Sequence, residues 1–220
     1  MNGVLAGLLP AAIGFALSPA GIIELILVVF SQRARVNGVV FLLTVAVPVF
    51  VIPLLGATVA KAASDGGSGG GGASAWVTLV FGVLLLLVAA ANLRSYDSTE
   101  APRVFGTIDR MGPGAAFFLA FGVTLFNPKN LALLLAAGET VREASLSTAQ
   151  LLVTLVVFTV VAMAPFLAVV AYQRFGGDNA AARLDAAKAA LLRNNHKIMF
   201  WICLLIGLLM AARGISALVS

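Results

Sequence analysis

The sequence Asn127-Pro128-Lys129-Asn130 places three strongly polar side chains inside an apolar stretch. The apolar segments 115–126 and 131–137 on either side are each too short to cross a membrane, because a span needs about 20 residues. A span that includes the motif puts Lys129 within the membrane, at a cost of about 2.5–3.5 kcal/mol on insertion scales. Such residues usually face a cavity and serve transport, although a lysine that snorkels to the outer headgroups is the alternative.

The chemistry that these four residues predict is recognition of an anionic group. A helix that restarts after a proline has free N–H groups, which attract anions as a lysine does. We therefore predict a substrate-binding site formed by Asn127, Pro128, Lys129 and Asn130.

A similar arrangement occurs near the N-terminus, in FALSPAGIIELIL, where Ser18-Pro19 corresponds to Asn127-Pro128 in TLFNPKNLALLL. Both motifs put a polar residue and a proline in mid-span, followed by aliphatic residues. We predict that both helices break there and that Ser18 and Pro19 belong to the same site. Small residues that permit close helix approach are the alternative explanation.

Glu24 is the other charged residue inside an apolar run. At ~1.5 Å per residue it lies roughly 9 Å from the end of its run near Phe30, whereas Lys129 lies roughly 24 Å from the same side. A gap of roughly 15 Å excludes a direct pair between straight helices. Two roles remain open for Glu24: a protonatable group that couples transport to protons, and a counter-charge for Arg33 or Arg35.

The elements that must position these residues are transmembrane helices. Hydrophobic residues make up 61% of the chain and charged residues 10%, against about 25% charged residues in a soluble domain. The predicted fold class is an all-α polytopic membrane protein, with one transmembrane domain over residues 1–220. The six predicted spans are residues 5–30, 36–60, 75–91, 113–137, 148–172 and 198–219.

Three spans separate the two proline motifs, and an odd number inverts the second copy. We therefore predict two inverted three-helix repeats, about 1–91 and about 113–220, joined by a cytoplasmic connector, 92–112. Many transporters share this design and bind substrate near the midplane, at broken helices. Residues 65–72 form a Gly/Ser-rich linker. The Ala-rich segment 179–195 is expected to be a short helix on the membrane surface or a solvated connector.

The basic residues predict the orientation. Ten of the 14 lysines and arginines fall in loops on one side, three on the other, and Lys129 lies within a span. The side richer in Lys and Arg faces the cytoplasm. We therefore predict an inner-membrane protein whose two termini lie on the outer side of the membrane. The ten are Arg33, Arg35, Arg94, Arg103, Arg110, Arg174, Arg183, Lys188, Arg193 and Lys197; the three are Lys61, Arg142 and Arg213.

Several functional classes are not expected. The single cysteine, Cys203, cannot supply a thiol pair, and one histidine, His196, does not make a metal cluster. No nucleophile–base pair is apparent, so we expect neither enzymatic activity nor a cofactor or metal. The net charge of +5 arises from short loops between apolar runs, which is a signal of topology and not of nucleic-acid binding.

The two motifs, in a six-span chain of this size, resemble the LysE superfamily of small exporters. Within it, SPAGIIELILVVFSQRARVNGVVFL and FNPKNLALLLAAGETV are similar to the actinobacterial GAP branch, which includes peptidoglycolipid- and sulfolipid-addressing proteins of mycobacteria. The resemblance implies that the protein exports or translocates an anionic cell-envelope glycolipid. The implied partners are a membrane lipid or glycolipid substrate and a larger lipid transporter; a homodimer is a further expectation.

Two alternatives stay open at this point. One is a LysE-like exporter of a small solute, an amino acid or a cation. Amino-acid exporters of the superfamily usually carry Pro-Gly-Pro where this chain has Ser18-Pro19-Ala20-Gly21, a departure that disfavours the amino acid. The other is a non-transporting accessory subunit of a larger lipid exporter. Such a subunit does not need a charged residue at the midplane.

Overall fold

The computed structural model describes residues 2–65, 70–95, 111–144, 146–177 and 179–219, and every regular element in these ranges is an α-helix. The predicted connector lies largely outside the described residues, with Arg103 and Arg110 in that part. The predicted Gly/Ser linker lies partly outside them. The eight helices are α1 (Asn2–Ala16), α2 (Pro19–Val29), α3 (Ala34–Asp65), α4 (Gly70–Arg94), α5 (Pro113–Leu125), α6 (Pro128–Glu143), α7 (Thr148–Phe175) and α8 (Ala180–Val219).

Three of these helices, α3, α7 and α8, are long and apolar enough to cross a membrane. The pairs α1–α2 and α5–α6 also qualify if each bent pair counts as one span, which raises the number to five. The apolar part of α4, Thr78–Arg94, is shorter than a full span. The all-helical, multi-pass class is confirmed at three to five spans, and a sixth span stays a prediction.

The two predicted helix breaks are confirmed. The chain bends by 53° between α1 and α2 and by 65° between α5 and α6. The residue before a proline is pushed out of the helical region, and Ser18 (φ −92°, ψ 98°) and Asn127 (φ −86°, ψ 109°) are both extended. Pro19 and Pro128 each begin the following helix, where a missing N–H costs nothing.

Other prolines do not interrupt their helices. Pro10 lies inside α1, Pro48 and Pro53 inside α3, and Pro165 inside α7. A proline alone therefore does not break a helix in this chain. At the two breaks a capping-type residue, serine or asparagine, precedes the proline, and such residues favour the extended conformation of an N-cap.

The helices α4 and α8 pack with their backbones in contact. A Cβ atom added to Gly82 would lie 2.5 Å from the backbone nitrogen of Ala211, and one added to Gly214 would lie 2.7 Å from that of Leu79. Gly207 and Ala211 are four residues apart on α8, the small-xxx-small spacing that lets membrane helices approach closely. The sequence contains this spacing, but it was not part of the site prediction.

The last helix is longer than predicted. Residues 180–219 form one continuous 40-residue helix, roughly 60 Å long at ~1.5 Å per residue and twice the ~30 Å hydrocarbon thickness. The prediction of a separate surface helix at 179–195 is therefore wrong, because those residues extend the last span. Lys188 Nζ lies 5.9 Å from the centroid of the Phe30 ring, which places this extension beside the end of α2.

Candidate functional site

Lys129 lies in the first turn of α6 and is completely buried. Its Nζ donates a hydrogen bond of 2.9 Å to the carbonyl oxygen of Gly14. Gly14 belongs to the last turn of α1, where the final four carbonyls of a helix lack partners within it. A cation is also favoured there by the helix dipole. The snorkelling alternative is wrong, because the side chain points into the protein and binds a backbone carbonyl.

The two asparagines of the motif hold the break between α5 and α6 together. The Asn127 side-chain oxygen accepts a 3.1 Å hydrogen bond from the backbone N–H of Lys129 and so caps α6. Asn130 Nδ2 donates a 2.8 Å bond to the carbonyl of Val123 in the last turn of α5. Both side chains thus satisfy backbone groups that the proline break frees. Pro128 is exposed beside them.

The first break is packed more tightly. Ser18 is 1% exposed and does not cap α2 with its side chain, while Pro19 is buried in the first turn of that helix. A Cβ atom added to Gly21 would lie 3.0 Å from the ring of Phe166. A glycine here lets an aromatic side chain of α7 pack directly against the break.

The structure therefore brings the two bent helix pairs together, and Lys129 forms a side-chain hydrogen bond between them, to Gly14. Gly14 precedes Ser18 by four residues, so Lys129 reaches across to the end of the helix that the first break terminates. Sequence reasoning did not identify Gly14. The predicted break at Ser18-Pro19 could have indicated it. Such a break frees the backbone carbonyls of the preceding turn, and one of these is the carbonyl of Gly14.

Glu24 lies in α2 and is partly buried, and its Oε2 atom has no hydrogen-bond partner among the described residues. Among the described residues it forms no ion pair with Arg33 or Arg35, so the role of counter-charge is not supported. It does not pair with Lys129 either, as the difference in depth predicts.

Several buried polar atoms near the breaks have no hydrogen-bond partner among the described residues. Four such atoms lie on the helices around the breaks: Ser18 Oγ, Glu24 Oε2, Asn130 Oδ1 and Thr154 Oγ1. A buried polar group left unpaired costs about 1–3 kcal/mol, so each of them favours a ligand or a water molecule that supplies the missing bond. Within the described residues no group of three or more His, Cys, Asp or Glu side chains could hold a metal ion.

Comparison with known proteins identifies the family. No curated protein and no solved structure matches the chain. A family model described as "Sap, sulfolipid-1-addressing protein" matches residues 8–216, which include both proline breaks, Glu24 and Lys129. The match covers nearly the whole sequence, and the chain therefore belongs to the family of sulfolipid-1-addressing proteins.

Proposed function

We propose that this protein moves an anionic cell-envelope glycolipid across or out of the inner membrane. Family membership points to a sulfolipid-type substrate. The observation that carries the transport role is Lys129, a buried cation of one broken span that donates a hydrogen bond to Gly14 of the other. Placing a charged side chain within the membrane costs free energy, so such a residue is by default taken as a functional group.

The architecture that we propose is six spans in two inverted repeats of the LysE-superfamily type, with α4 as a full span. Contacts that recur when the two halves are exchanged support it. Exchanging the halves replaces α1 by α5, α2 by α6, α3 by α7 and α4 by α8. The contact of α1 with α7 then corresponds to that of α5 with α3, and the contact of α1 with α6 to that of α5 with α2. Likewise α8 packs on α2 as α4 packs on α6.

In the proposed mechanism Lys129 exchanges one partner for another. In the conformation described here its ammonium group binds the neutral Gly14 carbonyl. A sulfate or another anionic headgroup is a stronger partner than a neutral carbonyl, because it adds the attraction between opposite charges to the hydrogen bond. The Ser18 hydroxyl donates to the same headgroup, and Asn130 Oδ1 accepts from a sugar hydroxyl. Neither atom has a hydrogen-bond partner in the part of the chain that the structure describes.

Glu24 is the proposed coupling group. Its carboxyl group is partly buried and has no cationic partner among the described residues. Such a group gains and loses a proton without breaking an ion pair, so it links proton movement to a change in the packing of α2. Its variant Glu24→Gln, which cannot titrate, belongs in the same test as the variants of Lys129.

The test is export in a deletion strain that carries wild-type protein or Lys129→Met at matched protein level. Surface glycolipid is measured by thin-layer chromatography and mass spectrometry. We expect the Met variant to lose at least about nine-tenths of surface lipid, since ~1.4 kcal/mol of lost substrate binding is a tenfold effect. The control is Lys188→Met, which removes a lysine from the extension of α8.

Three outcomes separate the components of the proposal. Unchanged surface glycolipid after deletion overturns the function. Normal export by Lys129→Met overturns the role of Lys129 alone. An accessory role for the chain is recognised if the purified protein in lipid vesicles does not move the glycolipid, although the deletion abolishes export in cells.

A further inference from the structure

A basic cleft of about 530 Å³ opens between the turn that joins α2 to α3 and the end of α7. It is lined by Arg33 and Arg35 from the turn and the start of α3, and by Arg174 from α7, with Gln32 and Gln173 beside them. The three arginines are exposed and have no acidic partner among the described residues. Three unpaired guanidinium groups around one cleft favour an anion with several oxygens.

The backbone beneath this cleft is held in place by buried hydrogen bonds. Asn37 is completely buried, and its Nδ2 donates 2.8 Å bonds to Ser31 Oγ and to the carbonyl of Met111. Ser31 Oγ donates in turn to the carbonyl of Val28 at 2.7 Å. The turn that carries Arg33 and Arg35 is therefore preorganised, which lowers the entropy cost of binding.

A second cleft lies between the same two helices, farther into the membrane. It has a volume of about 330 Å³ and is lined by Ala46, Val47, Phe50 and Val51 of α3 and by Val156, Thr159 and Val160 of α7. The only hydroxyl, that of Thr159, donates to the carbonyl of Leu155 at 2.8 Å. The cleft thus offers an apolar wall without a free polar group, a surface suited to a hydrocarbon chain.

The two clefts are aligned on one seam between α3 and α7. From Arg35 to Val47 the rise is roughly 18 Å and from Arg174 to Val160 roughly 21 Å, at ~1.5 Å per residue. One leaflet of hydrocarbon is about 15 Å thick, half of the ~30 Å core. Exposed apolar residues continue between the clefts at helical spacing. They are Val36, Val39 and Leu43 on α3, and Ala164, Leu167 and Ala171 on α7.

We infer that the α3–α7 seam binds one lipid, with a phosphate or sulfate headgroup in the basic cleft and an acyl chain running to the apolar cleft. The occupant is a lipid rather than a soluble anion, because a soluble anion would leave the apolar cleft unfilled. The basic end of the seam is the end predicted to be cytoplasmic, so the lipid comes from the inner leaflet. The inference that the seam binds a lipid does not depend on the proposed function. That this binding delivers a lipid for export does rest on the proposed function.

Native mass spectrometry of the purified full-length chain in detergent tests this inference. The probes are dioleoyl phosphatidylglycerol, which carries an anionic phosphate headgroup; dioleoyl phosphatidylcholine, which has equal chains and no net charge; and glycerol phosphate, which has no chains. We expect the wild-type protein to retain phosphatidylglycerol in preference to both others. In the variant Arg35→Gln/Arg174→Gln that preference should fall about 25-fold, from about fivefold for each interfacial arginine.

Matched variants distinguish the contribution of the arginine charges to lipid binding from that of the acyl chain. Arg193→Gln removes an exposed arginine of α8 on the same side of the protein and should change the preference by less than about twofold, because it lies outside the cleft. Val47→Trp fills the apolar cleft and should weaken phosphatidylglycerol binding, whereas Leu205→Trp, on an exposed face of α8, should not. Elution as a single size-exclusion peak checks that each variant is folded.

Two results would overturn the inference. One is an unchanged preference for phosphatidylglycerol in the double arginine variant. The other is glycerol phosphate that competes as well as the lipid, which would make the cleft a site for soluble anions. Neither result depends on export: if deletion leaves surface glycolipid unchanged, the proposed function fails, and the binding preference can still be measured.

Discussion

Replacing Lys129 by methionine should leave the protein nearly as stable as wild type, although the residue is completely buried. The wild-type side chain makes one hydrogen bond, to the Gly14 carbonyl at 2.9 Å. Losing a hydrogen bond to a charged group costs about 1.5–3 kcal/mol. Removing a lysine from the membrane interior recovers about 2.5–3.5 kcal/mol on insertion scales. The two effects nearly cancel, so we expect a net change within about 1–2 kcal/mol.

The alanine variant at the same position should behave differently. Lys129 is among the largest fully buried side chains of the protein, so truncation to alanine removes most of its packed stem and leaves a cavity. Truncating a long buried side chain to alanine costs about 2–5 kcal/mol. Lys129→Ala should therefore be less stable than Lys129→Met by about that amount, and a loss of export by the alanine variant alone would not separate function from folding.

The measurement is the free energy of unfolding of the full-length chain in detergent micelles, obtained by titration with a denaturing detergent and followed by circular dichroism. A methionine variant more than about 3 kcal/mol less stable than wild type would show that the contact with Gly14 is mainly structural. Equal stability of the alanine and methionine variants would show that the lysine stem is not packed, and would contradict the burial described here.

The other predictions concern helix packing and topology. Gly82→Ala should destabilise by about 1–3 kcal/mol, because the new Cβ meets backbone of α8 that cannot move aside. The control Gly122→Ala, whose Cβ meets nothing within 4 Å, should be neutral or stabilising by up to about 1 kcal/mol; equal effects in unfolding titrations would refute the close packing. In a Cys203→Ser background, an impermeant maleimide added to intact cells should label Ala149→Cys and spare Arg183→Cys, and the opposite pattern would reverse the predicted orientation.

The sequence predicts the helix breaks well because their cause is local. Proline removes one hydrogen bond and clashes with the preceding turn, and at the second break the Asn127 side chain caps the helix that follows. The position of Lys129 inside a span follows from the length of its apolar flanks. These properties depend on a few adjacent residues, so they can be predicted without knowledge of tertiary contacts.

The partner of Lys129 could not be predicted, because it is a backbone carbonyl 115 residues away in the sequence. Every residue carries such a carbonyl, so no residue type marks this one. The extent of α8 was mispredicted for another reason. Hydropathy changes near Ile198, but no glycine or proline ends the helix there, and an Ala-rich segment with high helix propensity continues it.

Two buried phenylalanines pack against each other between α3 and α7, the two helices of the proposed seam. Phe41 of α3 and Phe166 of α7 stack with their ring centroids 6.4 Å apart, and both are almost completely buried. Phe41 lies roughly 9 Å along α3 from Arg35 at ~1.5 Å per residue, between the levels of the basic and apolar clefts. Phe166 also contacts Phe15 of α1 at 6.3 Å and packs over Gly21 at the first break.

This arrangement links α7, one wall of the proposed seam, to the first break. The face of α7 that carries Val160 and Leu167 is exposed on the seam, whereas Phe166 of the same helix fills the space beside the first break. Since α7 carries Phe166, a shift of α7 away from α3 would separate the Phe41–Phe166 pair and also loosen the packing around Gly21. We therefore expect that a lipid which displaces α7 on the proposed seam also disturbs the packing at the first break through Phe166.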